Sequence, residues 1–148
     1  MTAGSSRIFL LIALLAVAGM IVSSVSLYHH YGKSKTSYCD FSETVNCDIV
    51  NRSEYSVVMG LPVAGIGVLG YLALLALATV YRTKAETPTM LFFAGLGGLG
   101  FALYLTYIEG FVLQAWCILC LSSLATIFMI TVLSFFVFLH QIRASRIQ

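Results

Sequence analysis

Four long apolar runs constrain what this 148-residue chain can fold into. They cover residues 8–28, 57–81, 90–108 and 110–139, and none of them contains a charged side chain. Each run is close to or above the ~20 residues that a helix needs to cross roughly 30 Å of hydrocarbon. Open strands are excluded in lipid because their backbone groups would lack hydrogen-bond partners, and the alternating pattern of a membrane barrel is missing. The sequence predicts an all-α membrane protein, a bundle of four transmembrane helices that forms a single domain over residues 1–148.

The composition supports a bilayer as the solvent of this chain. Hydrophobic residues make up 59% of it and charged residues 9%, which leaves too little polar surface for an ordinary soluble domain. The net charge of +2 gives no indication of nucleic-acid binding. The first run exceeds the ~7 to 15 apolar residues of a cleaved signal peptide, so we expect it to be retained as a membrane anchor.

The basic residues predict how the helices are oriented. Four spans place both termini on one side, which then holds five basic residues against three on the other, so the positive-inside rule predicts cytoplasmic termini. The loop over residues 29–56 and the turn around Glu109 then face outward with all four cysteines, in the kind of compartment where disulfides persist. The five basic residues are Arg7, Arg82, Lys84, Arg143 and Arg146, and the three are Lys33, Lys35 and Arg52.

The four cysteines form two unlike pairs. Cys39 and Cys47 lie in the polar loop, and we expect them to be exposed enough to meet a protein partner. Cys117 and Cys120 lie in the fourth run, three residues apart on one helix face, where a helix N-terminus favours the reactive thiolate. A helix entering the membrane near Val112 would place the second pair roughly 7 Å and 12 Å deep. Only a lipid-soluble molecule can reach that depth, so the two pairs predict disulfide chemistry coupled to a quinone.

The external loop has a predicted structure of its own. Asn46 is a suitable N-cap for a short surface helix over residues 47–55, which would turn Asn51 toward water. Pro62 stands near the start of the second spanning helix, where its missing amide hydrogen costs least. Small residues recur at four-residue spacing and are assigned to close helix packing: Gly60 and Ala64 in the second run, and Ala94, Gly98 and Ala102 in the third.

Three alternatives to an electron relay through the two cysteine pairs have different requirements. A zinc site is disfavoured because the two cysteine pairs are unlike in spacing and environment, and His29, His30 and His140 are better explained as surface or headgroup residues. A membrane scaffold with two static disulfides is the non-enzymatic alternative. A DsbB-like oxidoreductase is the closest enzymatic one, but there the closely spaced cysteine pair belongs in the first external loop.

The spacing of the cysteines resembles that of a known family. Cys39-Asp40 is followed by Cys47 eight positions on and by Ser53 six positions further, and a late helix carries Cys117-Ile118-Leu119-Cys120. Together these residues resemble the vitamin K epoxide reductase family, most closely its stand-alone microbial members. The resemblance covers nearly the whole chain and implies an integral protein of the bacterial inner membrane. We expect no fused thioredoxin-like domain, so the reductant would be a separate protein.

The resemblance implies a role for each cysteine. Cys39 would exchange with a DsbA-like or other thioredoxin-fold partner, and Cys47 would attack the buried pair. Cys117 would be the sulfur attacked, and Cys120 would face the quinone, of the ubiquinone, menaquinone or vitamin K type. The net reaction would reoxidise the partner and drive disulfide formation.

The quinone site is predicted from the same likeness. Ser53 matches the family's loop serine and, with Cys120 and Trp116, forms the predicted quinone-binding set. Leu124 stands where vertebrate members carry a tyrosine that holds the vitamin K ketone. This difference favours ordinary quinone reduction over the alternative, a vitamin K quinone or epoxide reductase.

Overall fold

The chain folds into a helical bundle, and the loop that holds Cys39 and Cys47 forms a small cap on one end of it. The computed structural model describes residues 3–32, 39–40 and 42–147. Three helices are long and apolar enough to cross a membrane, over Ser5–Tyr31, Thr87–Leu113 and Ile118–Arg146, and a fourth apolar helix is shorter. The predicted helical membrane architecture is confirmed to that extent. The helices are α1 Ala3–Tyr31, α2 Cys47–Asn51, α3 Val63–Thr79, α4 Thr87–Ile108 and α5 Ile118–Arg146.

The second apolar run is only partly helical. Its first residues form a hairpin in which β1, Val57–Val58, pairs antiparallel with β2, Leu61–Pro62. Met59 and Gly60 make the turn with φ of 52° and 83°, the left-handed values that two-residue hairpin turns need. Gly60 therefore lies in this turn, and its assignment to a spanning helix was wrong. Helix α3 has 17 residues, about 26 Å at 1.5 Å per residue.

The fourth apolar run is interrupted near its start. Helix α4 continues as a π-helical turn over Glu109–Leu113, and the chain then reverses at Gln114, whose φ is 51°. Helix α5 begins only at Ile118, with Cys117 as its N-cap residue. The predicted start at residue 110, and the depths calculated from an entry near residue 112, were therefore wrong.

Small residues allow α4 and α5 to pack closely. A Cβ added at Gly98 would lie 3.1 Å from Ile127 Cδ1, and one added at Gly95 would lie 2.9 Å from Thr131 Oγ1. The packing role predicted for Gly98 is confirmed here. Helix α1 packs against α3 and α5, and Phe9 contributes to the buried core that these helices share.

The loop helix α2 is held by a side-chain cap. Asn46 accepts a hydrogen bond from the Ile49 amide at 3.1 Å, as predicted, although the helix ends at Asn51 and a 3₁₀ turn, Glu54–Ser56, follows. Asn51 is buried rather than turned toward water. The prediction failed because Ser26 of α1 supplies a polar partner, donating to Asn51 Oδ1 at 2.8 Å.

The two adjacent histidines also contradict the prediction of surface positions. His29 is buried, with an exposed fraction of 2%. His30 Nδ1 lies 2.5 Å from the carbonyl oxygen of Asn51 and donates to it. Both side chains therefore lie inward at the end of α1, and His30 connects α1 to α2.

The helix order separates two ends of the bundle. The cysteines lie at one end, where α1 and α4 finish and α3 and α5 begin. Arg52 is exposed at this end, whereas Lys33 and Lys35 lie outside the described residues. Five basic residues belong to the opposite end: Arg7, Arg82, Lys84, Arg143 and Arg146.

Candidate redox site

Three of the four cysteines meet where the loop packs on the start of α5. Cys39 and Cys47 form a disulfide, with their Cα atoms 5.7 Å apart. Cys117 is free, and its thiol donates a hydrogen bond to Cys47 Sγ at 3.3 Å. Residues 70 positions apart in the sequence are therefore in sulfur-to-sulfur contact, which is the arrangement that thiol–disulfide exchange requires.

Backbone pairing fixes this contact. The amide of Trp116 donates to the Thr44 carbonyl at 2.8 Å, and the amide of Asn46 donates to the Trp116 carbonyl at 3.2 Å. Cys117 follows Trp116 directly, and Cys47 follows Asn46 directly. The short bridge between the loop and the α4–α5 connection therefore sets the spacing of the two sulfurs.

The loop disulfide is more enclosed than predicted. The exposed fractions are 2% for Cys39 and 0% for both Cys47 and Cys117. Val50 and Ala115 complete an apolar cluster around these sulfurs. The expectation of an exposed pair was wrong because α2 folds back onto the start of α5 and covers both sulfurs.

Cys120 lies in a different environment from the other three cysteines. It lies in the first turn of α5, is free, and is only partly buried. It lines a cavity of about 420 Å³ that is enclosed by α1, α3, α4, α5 and the loop. Most of the lining side chains are apolar, and small residues from two helices make room for the cavity, among them Gly67, Gly70 and Gly97.

The predicted quinone-binding residues occupy different positions. Ser53 and Cys120 both lie in the cavity wall. The Ser53 hydroxyl donates to the Val50 carbonyl at 2.8 Å, which leaves its oxygen able to accept a further bond. Trp116 is not among the described residues that line the cavity, and its ring packs against Gly110. The contact of Trp116 with a quinone stays a prediction.

The cavity also contains a polar pair deeper in the bundle. The Tyr71 hydroxyl lies 2.8 Å from Ser123 Oγ and donates to the Ser123 carbonyl at 2.9 Å. Ser123 is three residues beyond Cys120 on α5, so this pair and the thiol share a helix face. Leu124, which stands where vertebrate members of the family carry a tyrosine, follows Ser123 directly.

Glu109 is a site residue that the sequence analysis placed only in an external turn. It lies in the π-helical turn with an exposed fraction of 2%. Its Oε2 accepts a hydrogen bond from the Cys117 amide at 3.2 Å, and its carboxyl group also interacts with the Cys120 thiol. It is the only acidic residue after Glu86. A lone acid between two apolar runs and near cysteines is a signal that could have identified it.

The neighbours of Cys117 favour its thiolate. A hydrogen bond from the Cys120 thiol lowers the pKa of Cys117, against the opposing effects of burial and of the negative charge of Glu109. The N-cap position at the start of α5 acts in the same direction because backbone amides there favour negative charge. A thiol with a lowered pKa departs more readily when a disulfide that contains it is attacked.

A family model described as "Vitamin K epoxide reductase family" matches residues 10–135. The match begins in α1 and ends in α5, and it includes the four cysteines, Ser53 and Glu109.

Proposed function

This chain belongs to the vitamin K epoxide reductase family, and we propose that it is a membrane oxidoreductase that reoxidises a thioredoxin-fold protein and passes the electrons to a quinone. The single observation that supports this most strongly is the 3.3 Å contact between Cys117 Sγ and Cys47 Sγ, beside the Cys39–Cys47 disulfide. This contact joins the loop pair to the second pair, of which Cys120 lies in the cavity wall. A static scaffold has no need of two free cysteines in this position, and the close pair begins α5 rather than lying in the first loop of a DsbB-like protein.

The proposed exchange begins at Cys39. A thiolate of a DsbA-like partner attacks Cys39 and releases Cys47, and the second thiol of the partner resolves the mixed disulfide. Cys47 then attacks Cys117 in a Cys117–Cys120 disulfide and frees Cys120. Attack of Cys39 on Cys47 finally restores the loop disulfide and releases the Cys117 thiolate. The pairing in the structure corresponds to this last state.

Enclosure of Cys39 imposes a condition on the first step. Its sulfur has an exposed fraction of 2%, so a folded partner cannot touch it in this conformation. Docking of the partner must therefore open the contact between the loop and the start of α5. The relay would then be closed to adventitious thiols until the correct partner binds.

The cavity fits the chemistry of a quinone. Its volume of about 420 Å³ lies within the roughly 300 to 1,000 Å³ of small-molecule sites, and its apolar wall suits a lipid-soluble ring. A bound quinone of the ubiquinone, menaquinone or vitamin K type supplies an acceptor for two electrons and two protons. Cys120 presents sulfur to this space, and Ser53 adds a hydrogen-bonding group to the wall. Leu124 favours a plain quinone over an epoxide as substrate.

We also propose how the protein sits in the membrane. Helix α3 serves as the fourth span of a single domain over residues 1–148, and the hairpin Val57–Pro62 lies at the interface. The termini are cytoplasmic and the cysteine end is external, in a bacterial inner membrane. This orientation is supported by the basic residues at the end opposite the cysteines, including Arg7 and Arg82.

Quinone reduction by the purified protein tests the proposal. The protein in detergent is mixed anaerobically with a reduced thioredoxin-fold donor and a soluble quinone, and donor disulfide and quinol are both quantified. We expect one quinol for each donor disulfide, and no quinol above background from Cys120→Ala. Donor oxidation without quinol formation would contradict the proposed acceptor.

A further inference from the structure

Glu109 is a buried acid that the exchange steps above do not use. It lines the same cavity as Cys120, and its carboxyl group interacts with the Cys120 thiol. Its Oε2 accepts a hydrogen bond from the Cys117 amide, while Oε1 has no hydrogen-bond partner of normal geometry among the described residues. Ionisable side chains within membrane-spanning segments are costly to bury and usually serve a function.

The chemistry at Cys120 requires a local base. A cysteine reacts as its thiolate, so the Cys120 thiol must lose its proton before the sulfur can act as a nucleophile. Its neighbours Glu109 and Cys117 have exposed fractions of only 2% and 0%, so bulk water is not at hand on that side. Transfer of the proton to the Glu109 carboxylate moves one negative charge from oxygen to sulfur and creates no second charge in an apolar site.

We propose that Glu109 is the acid–base residue of the quinone half-reaction: its carboxylate accepts the thiol proton of Cys120 and passes it to a quinone oxygen. This inference rests on the proposed function. The Cys117 thiolate and the Cys120 thiol together lose two electrons and one proton as their disulfide forms. Quinone reduction takes up both electrons and two protons, one delivered through Glu109 and the other drawn from external water, into which the partner dithiol has released one of its two protons.

Cys117 is the rival base for this step. Its sulfur also forms a hydrogen bond with the Cys120 thiol, and its thiolate is the favoured form. Among the described residues, the other titratable groups near the turn are Cys47 and Asp48 of α2, which packs against it, and His30, Tyr55 and Tyr71, which line the cavity. Cys47 is held in the loop disulfide in this state, and the His30 Nδ1 atom is engaged by a backbone carbonyl.

The variant Glu109→Gln separates the two bases. Glutamine keeps an oxygen that can accept the Cys117 amide but cannot take up a proton. The first readout needs no quinone: it is the rate at which N-ethylmaleimide alkylates Cys120, followed by mass mapping in protein that retains the loop disulfide. We expect alkylation at neutral pH to be slower by at least about tenfold, and the deficit to shrink as pH rises because hydroxide replaces the lost base.

Quinone turnover gives the second readout. Single-turnover quinol formation by Glu109→Gln should fall by about 10² to 10⁴-fold, the usual contribution of a positioned acid or base. Glu109→Asp should restore part of the rate because it keeps a carboxylate. Glu86→Gln is the matched control, since Glu86 is exposed at the opposite end of the bundle, and it should behave as the wild type.

The direction in which the alkylation rate of Cys120 changes decides whether Glu109 acts as a base or only through its charge. A carboxylate that acted only through its charge would disfavour the nearby thiolate, so its removal would speed alkylation of Cys120. Faster or unchanged alkylation in Glu109→Gln would therefore overturn the inference and leave Cys117 as the base. Loss of Cys47–Cys117 exchange in both Glu109 variants would overturn it as well, by indicating a structural role. Absence of quinol from the wild type would contradict the proposed function instead, while the alkylation rates would still decide the role of Glu109.

Discussion

At the scale of single residues, Cys117 connects two kinds of chemistry. Its sulfur touches that of Cys47 at 3.3 Å, and a hydrogen bond from the Cys120 thiol lowers its pKa. The first contact allows disulfide exchange, and the second stabilises the thiolate that exchange releases. Both contacts depend on the placement of Cys117 as the N-cap residue of α5 rather than inside a helix.

The hydrogen bond from Cys120 makes a prediction about pH. Because it lowers the pKa of Cys117, its removal should raise that pKa and reduce the thiolate fraction at neutral pH. In a background with Cys39 and Cys47 both replaced by alanine, Cys120→Ser and Cys120→Ala leave Cys117 as the sole thiol. Titration of the thiolate absorbance should give a lower midpoint for the serine variant, which keeps a donor, than for the alanine variant. Equal midpoints would remove the hydrogen bond as the cause.

Loss of Cys120 should also populate the exchange intermediate. In Cys120→Ala, Cys117 lacks the hydrogen bond that lowers its pKa, so it departs less readily when Cys39 attacks the Cys47–Cys117 disulfide. Mass mapping after rapid alkylation should therefore show a Cys47–Cys117 disulfide and a free Cys39, which the wild type should not accumulate. A free Cys117 together with normal turnover would assign the exchange to other sulfurs.

At the scale of elements, the cavity depends on the small-residue face of α4. A Cβ added at Gly97 would meet no atom within 4 Å, and Gly97 lines the cavity. Gly100 has the same free space but is not among the described residues of the cavity wall. Gly97 and Gly100 therefore form a matched pair of positions: a larger side chain enters the cavity at the first and stays outside it at the second.

Filling the cavity should block the quinone without disturbing the cysteines. We expect Gly97→Leu to weaken quinone reduction by at least roughly tenfold, about 1.4 kcal/mol, because its side chain occupies the cavity. Gly100→Leu should leave the rate unchanged. Retention of the Cys39–Cys47 disulfide, shown by mass mapping without added reductant, serves as the folding control for both variants. Equal activity of the two variants would place the quinone elsewhere.

Local signals explain which elements could be predicted. The cap formed by Asn46 depends on residues three positions apart, so the sequence was sufficient to identify α2. The start of α5 was missed because residues 110–113 are as apolar as a membrane span. Their helix is ended by distant contacts, namely the pairing of Trp116 with Thr44 and the bond from the Cys117 amide to Glu109.

Some features of the site could likewise be predicted from local sequence, whereas others depend on contacts between residues far apart in the sequence. The spacing of the four cysteines indicated the relay, and Cys47 and Cys117 are indeed in contact. The burial of Cys39 could not be predicted from the loop because it results from packing of α2 on α5. Asn51 was misplaced for a related reason, since its partner Ser26 lies on α1.

At the scale of the whole molecule, the protein is polarised along the bundle axis. The sulfurs and α2 lie at one end, and most of the basic residues lie at the other. This polarity is what the proposed function requires, because disulfides persist on the external side of a membrane. A reversed orientation would expose the relay to a reducing cytosol.

The orientation can be tested with reporter fusions. A reporter fused after Gln148 should be active only in the cytoplasm, and one inserted near Glu43 in the external loop only outside it. Glu43 is exposed, so an insertion there should leave the bundle intact. Cytoplasmic activity of the loop fusion would contradict the proposed orientation.

Electron entry through Cys39 is the central claim, and one variant tests it most directly. Cys39→Ala is assayed for quinol formation with two reductants, a reduced thioredoxin-fold protein and a small membrane-permeant dithiol. We predict loss of turnover with the protein donor and retention with the small dithiol, which can attack the Cys117–Cys120 disulfide at Cys120, in the wall of the cavity. Retention of turnover with the protein donor would show that it bypasses the loop, and equal loss with both reductants would make Cys39 a structural residue; either result would contradict the relay.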